Sequence, residues 1–409
     1  MPGGLNATYF VRHWNNIVTD RLRNSPSWSP GGALTASAKS IFRLLASRGP
    51  ATRPQLGEML GLSRPTMSAA ISELEEIGLA SKVGEVQGAL GRKAAVYRPG
   101  PTSGHVISID AGSTHVRLRA STVDRRNLHS RVYRLPSSQL VLGEEISRAV
   151  TEEVAATLAE TEPAWGPLRM IGIALPSRVV GPQGDRSATR QQEIFSCFEP
   201  PADVPILLEN NVNCAAVAER SNGIARDADT FAYVQIGLKI GMGIMLDGKL
   251  LRGQNGAAGE ISHLAFPFAD GVRPAPGEIE RYMGTEALMQ RVANHWPASE
   301  GAPPVDAAEL MARASGGSAA ALEQVTRHAE DIGAIVASCV SIVDPGLVVL
   351  GGGLGANPLL LPVVREVANR LSYPVEVRTS SLGQDATVLG IEKLACDSAV
   401  DLILGEGRT

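Results

Sequence analysis

Apolar residues along residues 36–98 change their spacing in a definite order. In residues 36–47 Ile41, Leu44 and Leu45 share one helical face. Thr52 and Gln55 stand at capping-box spacing with Pro54 between them, which predicts a short helix running to Leu60 and closed by Gly61. Ser63 is placed to cap a third helix with Pro65 in its first turn. Met67, Ala70, Ile71 and Leu74 form that helix's core-facing stripe, Arg64, Thr66, Ser68 and Ser72 point elsewhere, and Gly78 ends it. Residues 79–83 and 94–98 then read as two strands around a glycine-rich tip at 84–91.

Helix, short helix, glycine turn, helix and hairpin is the plan of a winged helix-turn-helix, mainly α with a β-wing, here residues 37–100. Its third helix is the one that enters a major groove, so Ser63, Arg64, Thr66, Ser68 and Ser72 are the candidate base and phosphate contacts. Arg92 and Lys93, beside the wing tip, are placed for phosphates or a minor groove. A three-helix protein-interaction module shares part of this pattern; the caps, turn glycines and wing together favour double-stranded DNA. Residues 1–36 form an N-terminal arm rich in Gly, Pro, Ser and Asn, with one short amphipathic stretch from Tyr9 to Leu22.

From residue 105 the pattern becomes α/β. A strand at 106–110, the turn Asp110-Ala111-Gly112-Ser113-Thr114, a strand at 115–122 and a turn at 124–127 lead to a third strand. Strand, glycine-bearing turn and strand recur at 231–237, 238–241 and 243–246, followed by the Asp247-Gly248 turn and a strand at 249–252. The repetition predicts two lobes, residues 105–225 and 226–409, with a ligand cleft between them and a C-terminal helix able to return to the first lobe. Charge divides at the same place: residues 1–100 carry 12 Lys and Arg against 6 Asp and Glu, and the remainder 26 against 36. The four cysteines lack metal-ligand spacing, which predicts free thiols. No apolar run is long enough to cross a bilayer and no signal pattern opens the chain, so a cytoplasmic protein is expected.

Five segments of this body, in order, resemble the ROK family (repressor, open reading frame, kinase). Asp110-Ala111-Gly112-Ser113-Thr114 is similar to its first phosphate loop, and residues 172–176 to its Gly-x-x-x-Pro segment. Glu209-Asn210-Asn211-Val212-Asn213, Gly259-Glu260-Ile261-Ser262-His263, and Asp344-Pro345 with residues 350–355 are similar to its later motifs. The resemblance implies the two-lobed acetate kinase–hexokinase–actin fold. It also implies that Asn210, Asn211, Glu260, His263 and Glu280 bind sugar hydroxyls.

Three departures bear on activity. Asn211 stands at the family's catalytic aspartate, and an amide cannot take the proton of an attacking hydroxyl, so no catalytic residue and no enzyme activity are expected. Gly237-Leu238-Lys239 replaces a Gly-Thr-Gly phosphate loop, so Lys239 is placed to fill phosphate space with its own charge. The family's cysteine zinc run is replaced by Pro274-Ala275-Pro276-Gly277-Glu278-Ile279-Glu280, so neither metal nor cofactor is expected.

Together these features predict a sugar-responsive transcriptional regulator, most simply a repressor, acting as a homodimer or homotetramer on an operator. An active sugar kinase with an accessory DNA module, and a degenerate body that binds no sugar, are the alternatives. Loss of the aspartate that would face a terminal hydroxymethyl suits xylose. Other non-phosphorylated sugars remain open, as does a phosphosugar paired with Lys239 or Arg178.

Overall fold

The computed structural model describes residues 34–87, 93–139, 141–181, 184–187, 189–264, 275 and 277–406. Residues 1–33 of the arm and Arg92 lie outside them. Helix α1 (Ala36–Arg48) starts under Thr35, whose hydroxyl accepts from Ala38 N at 3.2 Å. A two-residue strand β1 (Ala51–Thr52) precedes α2 (Arg53–Leu60). The predicted capping box is formed: Gln55 N donates to Thr52 Oγ1 at 3.4 Å, and Thr52 N to Gln55 Oε1 at 2.8 Å. Gly61 closes α2 in the left-handed region, and Ser63 Oγ, accepting from Thr66 N, opens α3 (Arg64–Glu76). Met67, Ala70, Ile71 and Leu74 of α3 are buried against Ile41, Phe42, Leu45 and Leu56, the face their spacing predicts.

The wing is longer than its glycines suggest. Strands β2 (Ala80–Gln87) and β3 (Lys93–Pro99) pair antiparallel, and β1 joins them in the order β1-β3-β2. Residues 84–87, expected in the tip, pair with 93–96 after a register shift between Lys82 and Gly84. Gly84 therefore follows a bulge, where a residue that breaks strand patterns is accommodated. Two residues were too few for β1 to leave a periodic signal.

The body contains the same sheet twice. The first lobe holds β4 (His105–Ala111), β5 (His115–Thr122), β6 (Asn127–Arg134), α4 (Glu144–Ala159), β7 (Leu168–Leu175), β8 (Ile206–Asn210) and α5 (Asn211–Ser221). The second holds β9 (Phe231–Ile236), β10 (Ile240–Leu246), β11 (Lys249–Leu251), α6 (Glu278–Met283), α7 (Thr285–His295), α8 (Ala307–Ser315) and α9 (Ala319–Val343). It continues with β12 (Leu347–Gly351), α10 (Gly352–Gly355), α11 (Leu361–Leu371), β13 (Glu376–Thr379) and α12 (Ala386–Ile403). The sheet orders are β6-β5-β4-β7-β8 and β11-β10-β9-β12-β13. In each, three antiparallel strands are followed by two parallel ones. Ile107, Ile109 and Ile171 pack on Ile146 and Val150 of α4 in the first core; Val234, Val348 and Leu350 share the second with Ile332 and Val336 of α9.

Helix α12 returns to the first lobe, packing on β4, β7 and α5. Its approach to α5 requires a glycine: a Cβ on Gly390 would lie 1.7 Å from the Cys214 carbonyl oxygen. Farther along, Ala399, Val400, Ile403 and Leu404 enter the same core as Ile41, Phe42 and Leu45 of α1. Arg43 of α1 pairs with Asp401 at 2.8 Å and also with Glu406. On the wing side, Arg98 of β3 binds Asp124 at 2.9 Å. The connection between wing and body is anchored as well, with Arg169 donating to the carbonyls of Thr102 and Ser103.

Candidate ligand cleft and DNA-facing helix

A cavity of about 1040 Å³ opens between the lobes. It is bordered by the β4–β5 turn, the end of β8, the β9–β10 turn, the β12–α10 turn and the first residues of α12. All five ligand residues expected from the sequence line it: Asn210, Asn211, Glu260, His263 and Glu280.

Glu209 organises the β8–α5 corner. It is buried, accepts from Asn210 N at 2.9 Å and Asn213 Nδ2 at 3.0 Å, and takes Arg252 Nε from the second lobe at 2.6 Å. Asn210 is the N-cap of α5. Its Oδ1 accepts from Val212 N at 2.8 Å and Asn213 N at 3.3 Å, while Nδ2 donates to Ser177 O at 3.1 Å. The cap thus uses the carbonyl and leaves one amide hydrogen for a ligand. Asn211 occupies the first turn of α5, half-buried at the cleft wall.

Gly259 sets the direction of the opposite wall. It has φ +85°, and a Cβ there would lie 1.8 Å from the Met242 carbonyl oxygen, so only glycine fits. The turn delivers half-buried Glu260 and then a short 3-10 segment ending in exposed His263. Burial raises the Glu260 carboxyl above its ordinary range, while nearby His263 and Arg178 pull it back. Glu280 projects from α6 into the same cavity.

The side of the cleft formed by the β4–β5 and β9–β10 turns carries charged side chains. Asp110 at the end of β4 is buried and its carboxyl is pushed up to about 7 by desolvation, opposed by Arg117 with Nη1 at 3.9 Å. Lys239 fills the turn between β9 and β10 and crosses to the first lobe, where Nζ donates to Pro176 O at 3.1 Å. Burial lowers its pKa.

Sequence reasoning missed Arg190, which lines the cleft from an irregular stretch with no periodicity to mark it, and Ser177, whose backbone carbonyl holds Asn210. Residues 265–274 and 276, among them Pro274 and Pro276 of the stretch that replaces the family's cysteine run, lie outside the described residues. Among the described residues no cluster of His, Cys, Asp and Glu forms a metal cage. The chain's four cysteines stand at positions 197, 214, 339 and 396, none of them in the stretch that follows His263. Cys214, Cys339 and Cys396 are buried free thiols and Cys197 is half-buried. Among the described residues no helix is long and apolar enough to cross a membrane.

On the DNA module, Ser63, Arg64, Thr66, Ser68, Ser72 and Lys93 are all exposed. The first of these is partly occupied as a cap, and its hydroxyl lies 2.8 Å from that of Thr66. Arg53 belongs to the fold instead: its guanidinium stacks 5.0 Å from the Tyr97 ring and pairs with Glu75 at 3.4 Å.

Two duplicated α/β lobes around a polar cleft, carrying a winged helix at the N-terminus, define the class: a sugar-kinase-like body joined to a DNA-binding module. The chain belongs to the ROK family, whose profile matches residues 106–398, and a winged helix-turn-helix DNA-binding profile matches residues 34–80. It is 23% identical over 378 residues to the xylose repressor of Bacillus subtilis, covering 89% of this chain and 96% of that one. A solved ROK family transcriptional regulator, a homolog of the E. coli MLC protein, superposes with TM-score 0.69 at 20% identity, covering 90% of this chain and 96% of the other. The ROK hexokinase from Thermus thermophilus superposes with TM-score 0.56 at 28% identity, over 71% of this chain and 97% of the enzyme. The family relatives therefore include both regulators and kinases.

Proposed function

We propose that the protein is a sugar-responsive repressor that binds double-stranded DNA through residues 37–100 and a sugar through residues 105–225 and 226–409. The observation that carries this reading is the path of α12. Ala386 and Thr387 at its start line the cleft, and Ile403 near its end lies in the core of the DNA module. A shift of the lobes on ligand binding thus moves an element that supports α1. Effector coupling of this kind is worth about 1–3 kcal/mol, or roughly 5- to 150-fold in operator affinity. The similarity to xylose repressors supports the repressor sense and makes xylose the first sugar to test. Two half-sites read by two winged helices imply a homodimer or homotetramer, and DNA binding implies a cytoplasmic protein.

In this reading the sugar is bound and not phosphorylated. Asn210, Asn211, Glu260, His263 and Glu280 present amide, carboxylate and imidazole groups to hydroxyls. Asn211 accepts or donates a hydrogen bond to the hydroxyl that a kinase would deprotonate. Lys239 closes the phosphate side by reaching Pro176 O. Isothermal titration of the full chain with xylose, glucose and N-acetylglucosamine tests the proposal, with His263→Ala and Glu280→Gln as controls. Binding that both variants weaken supports it, and ATP-dependent phosphorylation of any bound sugar overturns the non-catalytic part.

A further inference from the structure

Helix α3 is acidic for an element expected to lie among phosphates. Arg64 opens it, and Glu73, Glu75 and Glu76 follow in its second half. Its exposed Pro65, Ser68, Ala69 and Ser72 allow close approach to base edges but bring no charge. Affinity for duplex DNA depends heavily on neutralised phosphates, so other parts of the chain must supply cations.

The rest of the described module supplies few. Lys39 pairs with Glu406 at 3.3 Å, Arg43 with Asp401 at 2.8 Å and Arg98 with Asp124 at 2.9 Å, all acids of the body. Arg53 pairs with Glu75 at 3.4 Å and Lys82 with Glu85 at 2.7 Å. Arg48, Arg64 and Lys93 are exposed and in no ion pair among the described residues.

Ahead of α1 the sequence has the opposite sign to α3. Residues 1–33 contain Arg12, Arg21 and Arg23 against Asp20, and residues 24–33, rich in Ser, Pro and Gly, have the composition of a tether. The point where this arm joins is fixed to α3. Thr35 donates to both oxygens of Glu73, from N at 2.8 Å and from Oγ1 at 2.7 Å. The chain before Leu34 therefore starts on the flank of the helix that enters the groove. The stretch from Arg23 to Leu34 can span up to about 36 Å at roughly 3.3 Å per residue, against roughly 12 Å for the width of a major groove.

The body offers the arm a poorer seat. Two cavities between α1 and α12 meet at Arg43, one of them bordered by Leu34, and both are walled by cations: Lys39, Arg43, Arg125 and Lys393. The carboxylates there, Glu406, Asp401 and Asp397, are already held by Lys39, Arg43 and Lys393. A basic arm gains little from that surface and much from a polyanion.

We propose that the N-terminal arm is a second DNA-binding element, with Arg12, Arg21 and Arg23 on the phosphates flanking the groove that α3 enters. This rests on the DNA-binding reading above and extends it. The arm offsets the acidic end of α3 and raises affinity without reading sequence, because phosphates are alike at every base pair.

The test is fluorescence anisotropy of the full chain on a duplex that it selects from a random pool, over a series of salt concentrations. The combined variant Arg12→Ala, Arg21→Ala and Arg23→Ala is compared with the parent. It should bind at least about tenfold more weakly at low salt, and the slope of log affinity against log salt should fall by about 2–3. The loss should be the same on a duplex with a scrambled core, the melting temperature should stay at the parent's value, and lysine at the three positions should restore the slope. A combined variant with the parent's slope and affinity overturns the proposal and leaves DNA binding by residues 37–100 standing. A lower melting temperature with an unchanged slope also overturns it, and assigns the arm to the body instead. A parent chain that binds no duplex overturns both readings.

Discussion

Ile403→Ala tests whether α12 carries the signal between cleft and DNA module. Ile403 is 2% exposed and shares one core with Ile41, Phe42 and Leu45 of α1 and with Leu74 of α3. The substitution deletes three carbon groups, worth about 2 kcal/mol at roughly 0.8 kcal/mol each, and roughly 4 kcal/mol if the cavity does not collapse. That is as large as a typical allosteric coupling of about 1–3 kcal/mol. Loosening this contact should therefore let the DNA module sit independently of the lobes. The cleft side chains are untouched, since Ile403 is not among the residues that line it. Fluorescence anisotropy on an operator-like duplex selected by the protein from a random pool, with and without effector, gives the coupling factor; calorimetry gives the effector affinity. The expected outcome is an unchanged effector affinity, a lower denaturation midpoint and a coupling factor falling towards one. A variant destabilised by this amount whose operator affinity still responds fully to effector would refute the relay through α12.

Three other outcomes follow from single contacts. Gly390→Ala forces a methyl group to within 1.7 Å of the Cys214 carbonyl oxygen, so α12 must move from α5; a sharp fall in melting temperature is expected, and an unchanged melting curve contradicts that helix crossing. Arg64→Ala should weaken DNA binding and lower the slope of log affinity against log salt by about 1 if Arg64 meets a phosphate; an unchanged affinity removes Arg64 from the DNA-facing surface. Asp110 has its carboxyl raised from 3.8 to about 7 by burial, so between those values the folded state keeps a proton that the unfolded chain releases. Stability at this site is present below the lower value and is lost as pH rises through the window, by up to roughly 4 kcal/mol. Asp110→Asn should flatten that loss in urea titrations across the range, and a parent chain with no decline between pH 4 and 7 contradicts the assignment.

Local rules made the DNA module legible. The Thr52–Gln55 capping box, the Ser63 cap and the stripe Met67-Ala70-Ile71-Leu74 each depend on neighbours within one or two turns. The extent of the wing was not legible, because Gly84 breaks the strand pattern while a bulge between Lys82 and Gly84 allows pairing to continue. In the body, the order of the motifs carried the two-lobed fold and brought Asn210, Glu260, His263 and Glu280 to one cavity across long stretches of chain. What spacing could not give is how atoms divide their bonds. Asn210 is fully committed as an acceptor to its own helix, and Lys239 spans the lobes to a carbonyl 63 residues earlier. Arg190 joins the cleft only through tertiary folding of an irregular segment. The union of α12 with α1 is likewise a contact between the two ends of the chain, where helical periodicity shows that a face is apolar without naming its partner.

The most direct test of the central claim is the affinity of the full chain for its selected duplex at one fixed salt concentration, measured before and after saturation with a sugar shown to bind. The account predicts that the sugar lowers operator affinity by at least about fivefold and that His263→Ala abolishes the response while leaving DNA binding intact. A sugar that binds the cleft and leaves operator affinity unchanged in the parent chain contradicts it.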